Sequence, residues 1–196
     1  MKVEYRGEGR SQNMTTDRHL SKFTGVGYDK GRPLLTQALW IATSAFLVER
    51  IWCPPRLRTA ILRIFGARIG KRVLIRNGVR IHWPWKLDVG DDVWIGVDVW
   101  LLNLEPITIE SNVCISQAAM LCTGSHQAAN PAFEFDNGPI HVSEGAWIAA
   151  RATVLRGVKV GRSSVVGATA LVVQDVPDHA MVLAPRAQVK IVEAEQ

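Results

Sequence analysis

Val89-Gly90-Asp91-Asp92-Val93-Trp94-Ile95-Gly96-Val97-Asp98-Val99-Trp100-Leu101 sets large aliphatic residues six positions apart, at Val89, Ile95 and Leu101. The same spacing continues on both sides, through Ile69, Ile75 and Ile81 before it and Ile109, Ile115 and Leu121 after it. It resumes at Val142, Ile148 and Val154 and again at Val160, Val166 and Val172. All fifteen positions are Ile, Leu or Val. Four residues after each, a small or β-branched residue usually follows, Trp85 and Glu105 being the exceptions. Gly70, Gly90, Gly96, Gly161 and Gly167 directly follow a ladder residue, where a chain turning a corner is expected to use permissive backbone. A period of six fits neither a helix nor the alternation of an open sheet. It predicts a mainly β fold, a parallel β-helix of about five coils with three short strands per coil, stacked at ~4.8 Å.

The breaks in the period are informative too. Ile81 to Val89 and Leu101 to Ile109 are steps of eight, so two corners are enlarged, one holding Trp83 and Trp85 and the other Asn103 and Glu105. Leu121 to Val142 is a step of 21, which inserts a projecting loop, residues 126–141. Insertions in a solenoid usually mark its working face. If the two corners and the loop converge, Trp83, Trp85, Asn103, Glu105, Glu134 and Asp136 would offer the aromatic faces and carboxylates that suit a pyranose ring.

Outside the ladder, residues 1–33 are polar and glycine-rich and are expected to be a mobile or loosely docked arm that the core does not need. Residues 34–68 read as a helical segment: an apolar helix from Leu34 to Trp52, a break at Pro54-Pro55, and a second helix from about Arg56 to Phe65. Residues 69–177 are the β-helix and 178–196 a tail. The apolar runs are too short for a spanning helix of ~20 residues. Arg56, Arg58 and Arg63 beside Leu57, Ile61, Leu62 and Phe65 leave room for peripheral contact with a membrane.

Composition narrows the function class. With 47% hydrophobic and 21% charged residues the chain can bury a core, which excludes a disordered chain or a disulfide-stapled mini-protein. Cys53, Cys114 and Cys122 are odd in number and lack metal-type spacing, and with no secretory signal in residues 1–33 a cytoplasmic location is expected. Residues 1–68 carry 12 Lys and Arg against 5 Asp and Glu, the remainder 11 against 13. This basic front has no interleaved aromatics, so nucleic acid is not expected as a partner.

Several motifs resemble the hexapeptide-repeat acyltransferases, and among them the acetyltransferases of colanic-acid and other exopolysaccharide biosynthesis. They are Phe65-Gly66-Ala67-Arg68-Ile69-Gly70, Pro84-Trp85-Lys86-Leu87, Cys114-Ile115-Ser116-Gln117, Leu121-Cys122-Thr123-Gly124-Ser125-His126 and Val172-Val173-Gln174-Asp175-Val176-Pro177. The resemblance covers about residues 34–192. It implies a left-handed helix, a homotrimer, acetyl-CoA as co-substrate in the groove between prisms, and a sugar acceptor approaching a histidine at the start of the loop. His126 matches that histidine. An attacking sugar hydroxyl needs a base titrating near neutrality, which histidine supplies at ~6.5.

Alignment with maltose- and xenobiotic-type relatives implies that Ala150, Ala168, Val173 and Gln174 line the coenzyme groove, with Arg186 and Lys190 near the coenzyme phosphates. Those relatives carry an acceptor-side asparagine where this chain has Gly96, with Asp98 nearby, and the usual Gly-Asn-Pro-Ala-Lys tail appears as Ala184-Pro185-Arg186-Ala187-Gln188. No metal is expected: His82 and His141 have weaker claims to chemistry than His126, and the nearest histidine after it is fifteen residues on. The leading expectation is an acetyl-CoA-dependent O-acetyltransferase acting on a surface-polysaccharide intermediate. The alternatives are N-acylation of an amino sugar, another acyl-CoA donor, or a non-catalytic β-helical scaffold.

Overall fold

The computed structural model of the chain describes residues 17–189. From Arg68 onward the chain winds as a parallel-strand solenoid whose three faces hold five, six and five strands. The ladder residues fall into three inward columns. Ile69, Val89, Ile109, Val142 and Val160 stack on the first face, and Ile75, Ile95, Ile115, Ile148 and Val166 on the second. Ile81, Leu101, Leu121, Val154 and Val172 stack on the third. All but the half-buried Ile69 are buried.

The stack runs past the expected boundary at residue 177. Val176 bridges Val160, and Met181–Val182 pairs with Val165 and Val166 on the second face. A sixth coil therefore begins where a tail was expected, and Val182 extends the second column.

The glycines that follow ladder residues have a different role from the one expected. None has positive φ; the corner is turned three residues after the ladder position, by Asp92 (φ 58°), Asp98 (59°), Asn112 (60°) and Ala118 (56°) among others. What the glycines permit is close approach of coils: a Cβ on Gly90 would lie 2.7 Å from the Ser111 nitrogen, and one on Gly96 2.8 Å from the Gln117 nitrogen. An asparagine at Gly96, as in the maltose-type relatives, would place its Cβ against that backbone.

The residues preceding each ladder position form the outer columns. On the first face these are Arg68, Asp88, Thr108, His141 and Lys159, a polar column. On the second face they are Leu74, Trp94, Cys114, Trp147, Val165 and Met181, apolar throughout. Trp94 is 61% exposed and Met181 63%. One side of the prism is thus made for water and another is not.

Helix α1 spans Leu34–Thr43 and continues as a π-helical turn, Ser44–Val48; helix α2 spans Pro55–Ile64. Proline at the first position of α2 costs it no hydrogen bond, because that N–H has no partner inside a helix. Buried Trp40 of α1 donates its indole N–H to the carbonyls of Ile81 and His82, while Ile61 and Leu62 of α2 pack against the first coil. Leu35 and Leu39 of α1 and Phe46 of the π-helical turn remain exposed. Among the described residues no helix is long and apolar enough to cross a membrane.

Two of the three arginines that left room for membrane contact are engaged within the fold. Arg58 is buried and donates to the carbonyls of Val48 (2.6 Å), Ile75 (2.7 Å), Arg50 (2.9 Å) and Cys53 (3.0 Å). Arg63 donates to the carbonyls of Ile69 and Gly70. Arg58 is a clamp between the end of the π-helical turn, α2 and the first coil. Its replacement by alanine is expected to cost about 3 kcal/mol, the order seen when buried acceptors lose charge-assisted donors. Urea unfolding of Arg58→Ala would check this, with Arg56→Ala, which alters an exposed side chain, near wild type.

Candidate active site

The inserted loop is folded back on itself. His126 and Phe135 pair as an antiparallel bridge. Gln127 N–H donates to the Glu134 carbonyl (2.8 Å), Asp136 N–H to that of Ser125 (2.8 Å), and Gly138 N–H to that of Thr123 (3.0 Å). Thr123, fully buried, fastens the base of the loop by accepting from Glu105 N–H (2.9 Å) and donating to the Leu102 carbonyl (3.0 Å).

This geometry sets the chemistry of His126. Its Nδ1 lies 2.7 Å from the carbonyl oxygen of Phe133. A carbonyl can only accept, so Nδ1 carries the hydrogen and the neutral ring keeps its lone pair on Nε2. The rings of Phe133 (4.3 Å between centroids, 8° between planes) and Phe135 (5.1 Å, 22°) lie nearly parallel to the imidazole. Phe23 meets it edge-on at 5.8 Å.

The enlarged corners and the loop do converge, because all three interrupt successive passages from the third face to the first. Trp83 is stacked on Trp85 at 4.8 Å. Asn103, however, is fully buried: its Oδ1 accepts from Trp83 N–H (3.0 Å) and its amide donates to the Trp83 carbonyl. Asn103 and Trp83 therefore knit one coil to the next, instead of presenting polar and aromatic surface to an acceptor as expected. Trp85 is half-buried, its indole donating to the Lys30 carbonyl (2.7 Å), and half-buried Glu105 lies 3.9 Å from Lys86 Nζ.

The two loop carboxylates expected to meet the acceptor already have partners. Asp136 is paired with Arg156. Glu134 takes Thr24 N–H and the Thr24 hydroxyl on one oxygen (2.8 Å each) and Gly25 N–H on the other (3.0 Å). Those donors, the Thr24 N–H foremost, hold the Glu134 carboxyl below the usual range, so it stays ionised around neutrality.

Of the two readings of the arm, mobile or loosely docked, residues 17–33 take the docked one. Besides Thr24, Gly25 and Phe23, His19 N–H donates to the Pro131 carbonyl, Tyr28 packs on Phe135 and bonds the Trp83 indole, and Lys86 donates to the Asp29 carbonyl. Gly25, Gly27 and Gly31 have φ of 75°, 89° and 74°. Their abundance encodes turns of definite geometry; read with the interspersed Phe23 and Tyr28, it was a signal for a docked segment.

The remaining assigned residues lie along other edges. Asp98, Ala150 and Ala168 follow the second-face strands of three coils and share the edge between the second and third faces. Val173 and Gln174 are exposed after the last third-face strand. Arg186 is exposed, and Lys190 lies outside the described residues. His141 is on the first face with Nε2 2.8 Å from Glu110, and His82 is held below its usual pKa by burial first and then by Lys30 and Lys86. Among the described residues no group of three or more His, Cys, Asp or Glu could hold a metal ion.

No family model matches the sequence. The chain is 42% identical over 154 residues, 77% of its length and 83% of the relative's, to the colanic acid biosynthesis acetyltransferase WcaF of Escherichia coli (strain K12). It superposes on a hexapeptide-repeat acetyltransferase of Vibrio cholerae complexed with acetyl coenzyme A at a TM-score of 0.71, with 22% identity over 82% of this chain and 90% of the other. A galactoside acetyltransferase in complex with coenzyme A gives a TM-score of 0.67 at 17% identity, covering 75% of each chain.

Because Asn103 holds a buried backbone pair, Asn103→Ala should lower stability by about 2 kcal/mol through the unpaired Trp83 groups. Denaturant unfolding measures the loss, and a loss near zero would show that Asn103 does not hold the two coils together.

Proposed function

The chain belongs to the hexapeptide-repeat acetyltransferases of the colanic-acid biosynthetic type, and from that premise we propose that it transfers acetyl from acetyl-CoA to a sugar hydroxyl of a surface-polysaccharide intermediate. The observation that carries the mechanism is the hydrogen bond from His126 Nδ1 to Phe133, which leaves Nε2 as the proton acceptor. Nε2 takes the proton of the acceptor hydroxyl as its oxygen attacks the thioester carbonyl carbon. The tetrahedral intermediate collapses with cleavage of the carbon–sulfur bond, and the imidazolium returns the proton to the departing coenzyme A sulfur. No group on the protein is acylated.

The coenzyme is proposed to lie along the edge that carries Ala150 and Ala168, where small side chains leave room for the pantetheine. Within one coil that edge and the base of the His126 loop are separated by the third face, Ala118 to Gly124, some six residues or about 20 Å of extended chain. A loop from one copy lying against the edge of a neighbour would close that separation. The apolar outer column of the second face, with Trp94, Trp147 and Met181, supplies the surface such an assembly would bury. A homotrimer with sites between copies is therefore part of the proposal, and Asp98 would reach the acceptor from the neighbouring copy.

Two outcomes are expected. His126→Ala should fold and bind coenzyme A yet lose transfer by ~10² to 10⁴-fold, as measured by thiol release with sugar acceptors; full activity would remove His126 from the chemistry, and a preference for amino-sugar amines would change the reaction to N-acetylation. Light scattering after size exclusion should give three chains, and Trp94→Glu with Trp147→Glu should shift the mass towards one chain, with activity falling alongside. An active monomer would contradict the shared site.

A further inference from the structure

Building on the reading of His126 as the base, we propose that residues 17–33 are a built-in strap of the active site, and that Glu134 is a positioning residue that moors the strap so that Phe23 holds the His126 ring. The two oxygens of Glu134 receive three hydrogen bonds from Thr24 and Gly25, and Phe23, the residue before them, meets both His126 (5.8 Å) and Phe135 (5.2 Å) edge-on. One carboxylate thus fixes, through a single intervening peptide, the ring that closes the side of the catalytic imidazole.

The mooring joins segments about 110 residues apart in sequence. Ordering such a segment carries an entropic cost of roughly 1 to 2 kcal/mol per residue, so an arm of no consequence would have no reason to hold this many specific contacts. The contacts extend along the strap. His19 N–H reaches Pro131 at one end, Tyr28 packs on Phe135 at 5.0 Å in the middle, and the Lys30 carbonyl receives the Trp85 indole at the other. Each partner belongs to the loop that carries His126 or to the enlarged corner beneath it.

The need for such a strap follows from the loop. His126 is held in the plane of its ring by one hydrogen bond, and its flanking rings, Phe133 and Phe135, come from the same insertion. The loop's ties to the prism, Thr123 at its base and the Asp136–Arg156 pair, do not involve the His126 ring, and misplacement of Nε2 by ~1 Å can cost ~10²-fold in rate. The strap attaches that loop to the first coils of the prism through Trp83 and Trp85.

The test uses the full chain. Hydrogen exchange should show slow amides at Thr24 and Gly25 in the wild type and fast ones in Glu134→Ala; equally fast exchange in both would overturn the mooring. In transfer assays, Phe23→Ala and Glu134→Ala should each lower kcat roughly 10- to 100-fold with the KM for acetyl-CoA unchanged. The double variant should be no slower than the slower single one, because both remove the same support. If Phe23→Ala leaves kcat intact and Glu134→Ala raises only the acceptor KM, Glu134 touches the acceptor and the strap has no part in catalysis. A wild type that transfers nothing to any acceptor, with Glu134→Ala still releasing the strap, would count against acyl transfer and uphold the mooring.

Discussion

Successive coils must approach within the reach of a backbone hydrogen bond, about 4.8 Å from strand to strand, and almost everything else in this molecule follows from that spacing. It lets Val89 sit over Ile69 and Ile109 over Val89, so that three apolar columns form from strands only two or three residues long. It explains the glycines at 70, 90 and 161, whose replacement would put a Cβ against the next coil's backbone. It also places insertions made at one corner of successive coils one above another. The corner bearing Trp83, the corner bearing Asn103 and the loop bearing His126 become a single wall without any long-range search for contacts.

That wall shows how a repetitive scaffold can fix the orientation of one imidazole. The solenoid supplies fixed points, Thr123 at the root of the loop and Asn103 between the corners below it. The loop supplies the imidazole and, through the Phe133 carbonyl, its tautomer. The arm, far away in sequence, supplies Phe23 and the donors that occupy Glu134. Polar groups that look available in the sequence are largely engaged with one another, while among the described residues His126 is bonded through Nδ1 and not through Nε2. Under the proposed function, acceptor recognition would fall to half-buried Trp85 and Glu105 and to a neighbouring copy.

The sequence carried the fold well, because the period of six is a direct imprint of the three-sided coil: each ladder residue from Ile69 to Val172 lies in the column its spacing assigns. It pointed to the loop that His126 opens for a related reason, since an insertion in a strict repeat is conspicuous. It misled where a residue type has two uses. Gly90 could have served φ or close approach, and only the neighbouring Ser111 nitrogen decides. Glu134 could have met a sugar or a backbone, and its partners lie in an arm with no periodicity to announce its docking. Arg58 looked like a surface cation because a buried guanidinium satisfied by four carbonyls leaves no trace in local sequence. The sixth coil was hidden because Pro177 and the change of spacing before Met181 broke the ladder just before its last rung.

The proposed chemistry depends on the orientation of one ring, and nitrogen-15 NMR of histidine-labelled protein reads that orientation directly. At a pH where the imidazole is neutral, His126 should show the hydrogen on Nδ1 and an unprotonated Nε2, a pattern that coenzyme A binding leaves in place. Hydrogen on Nε2 instead would mean that the ring is turned or that Phe133 does not hold it, and His126 could not then accept the acceptor's proton from the position described.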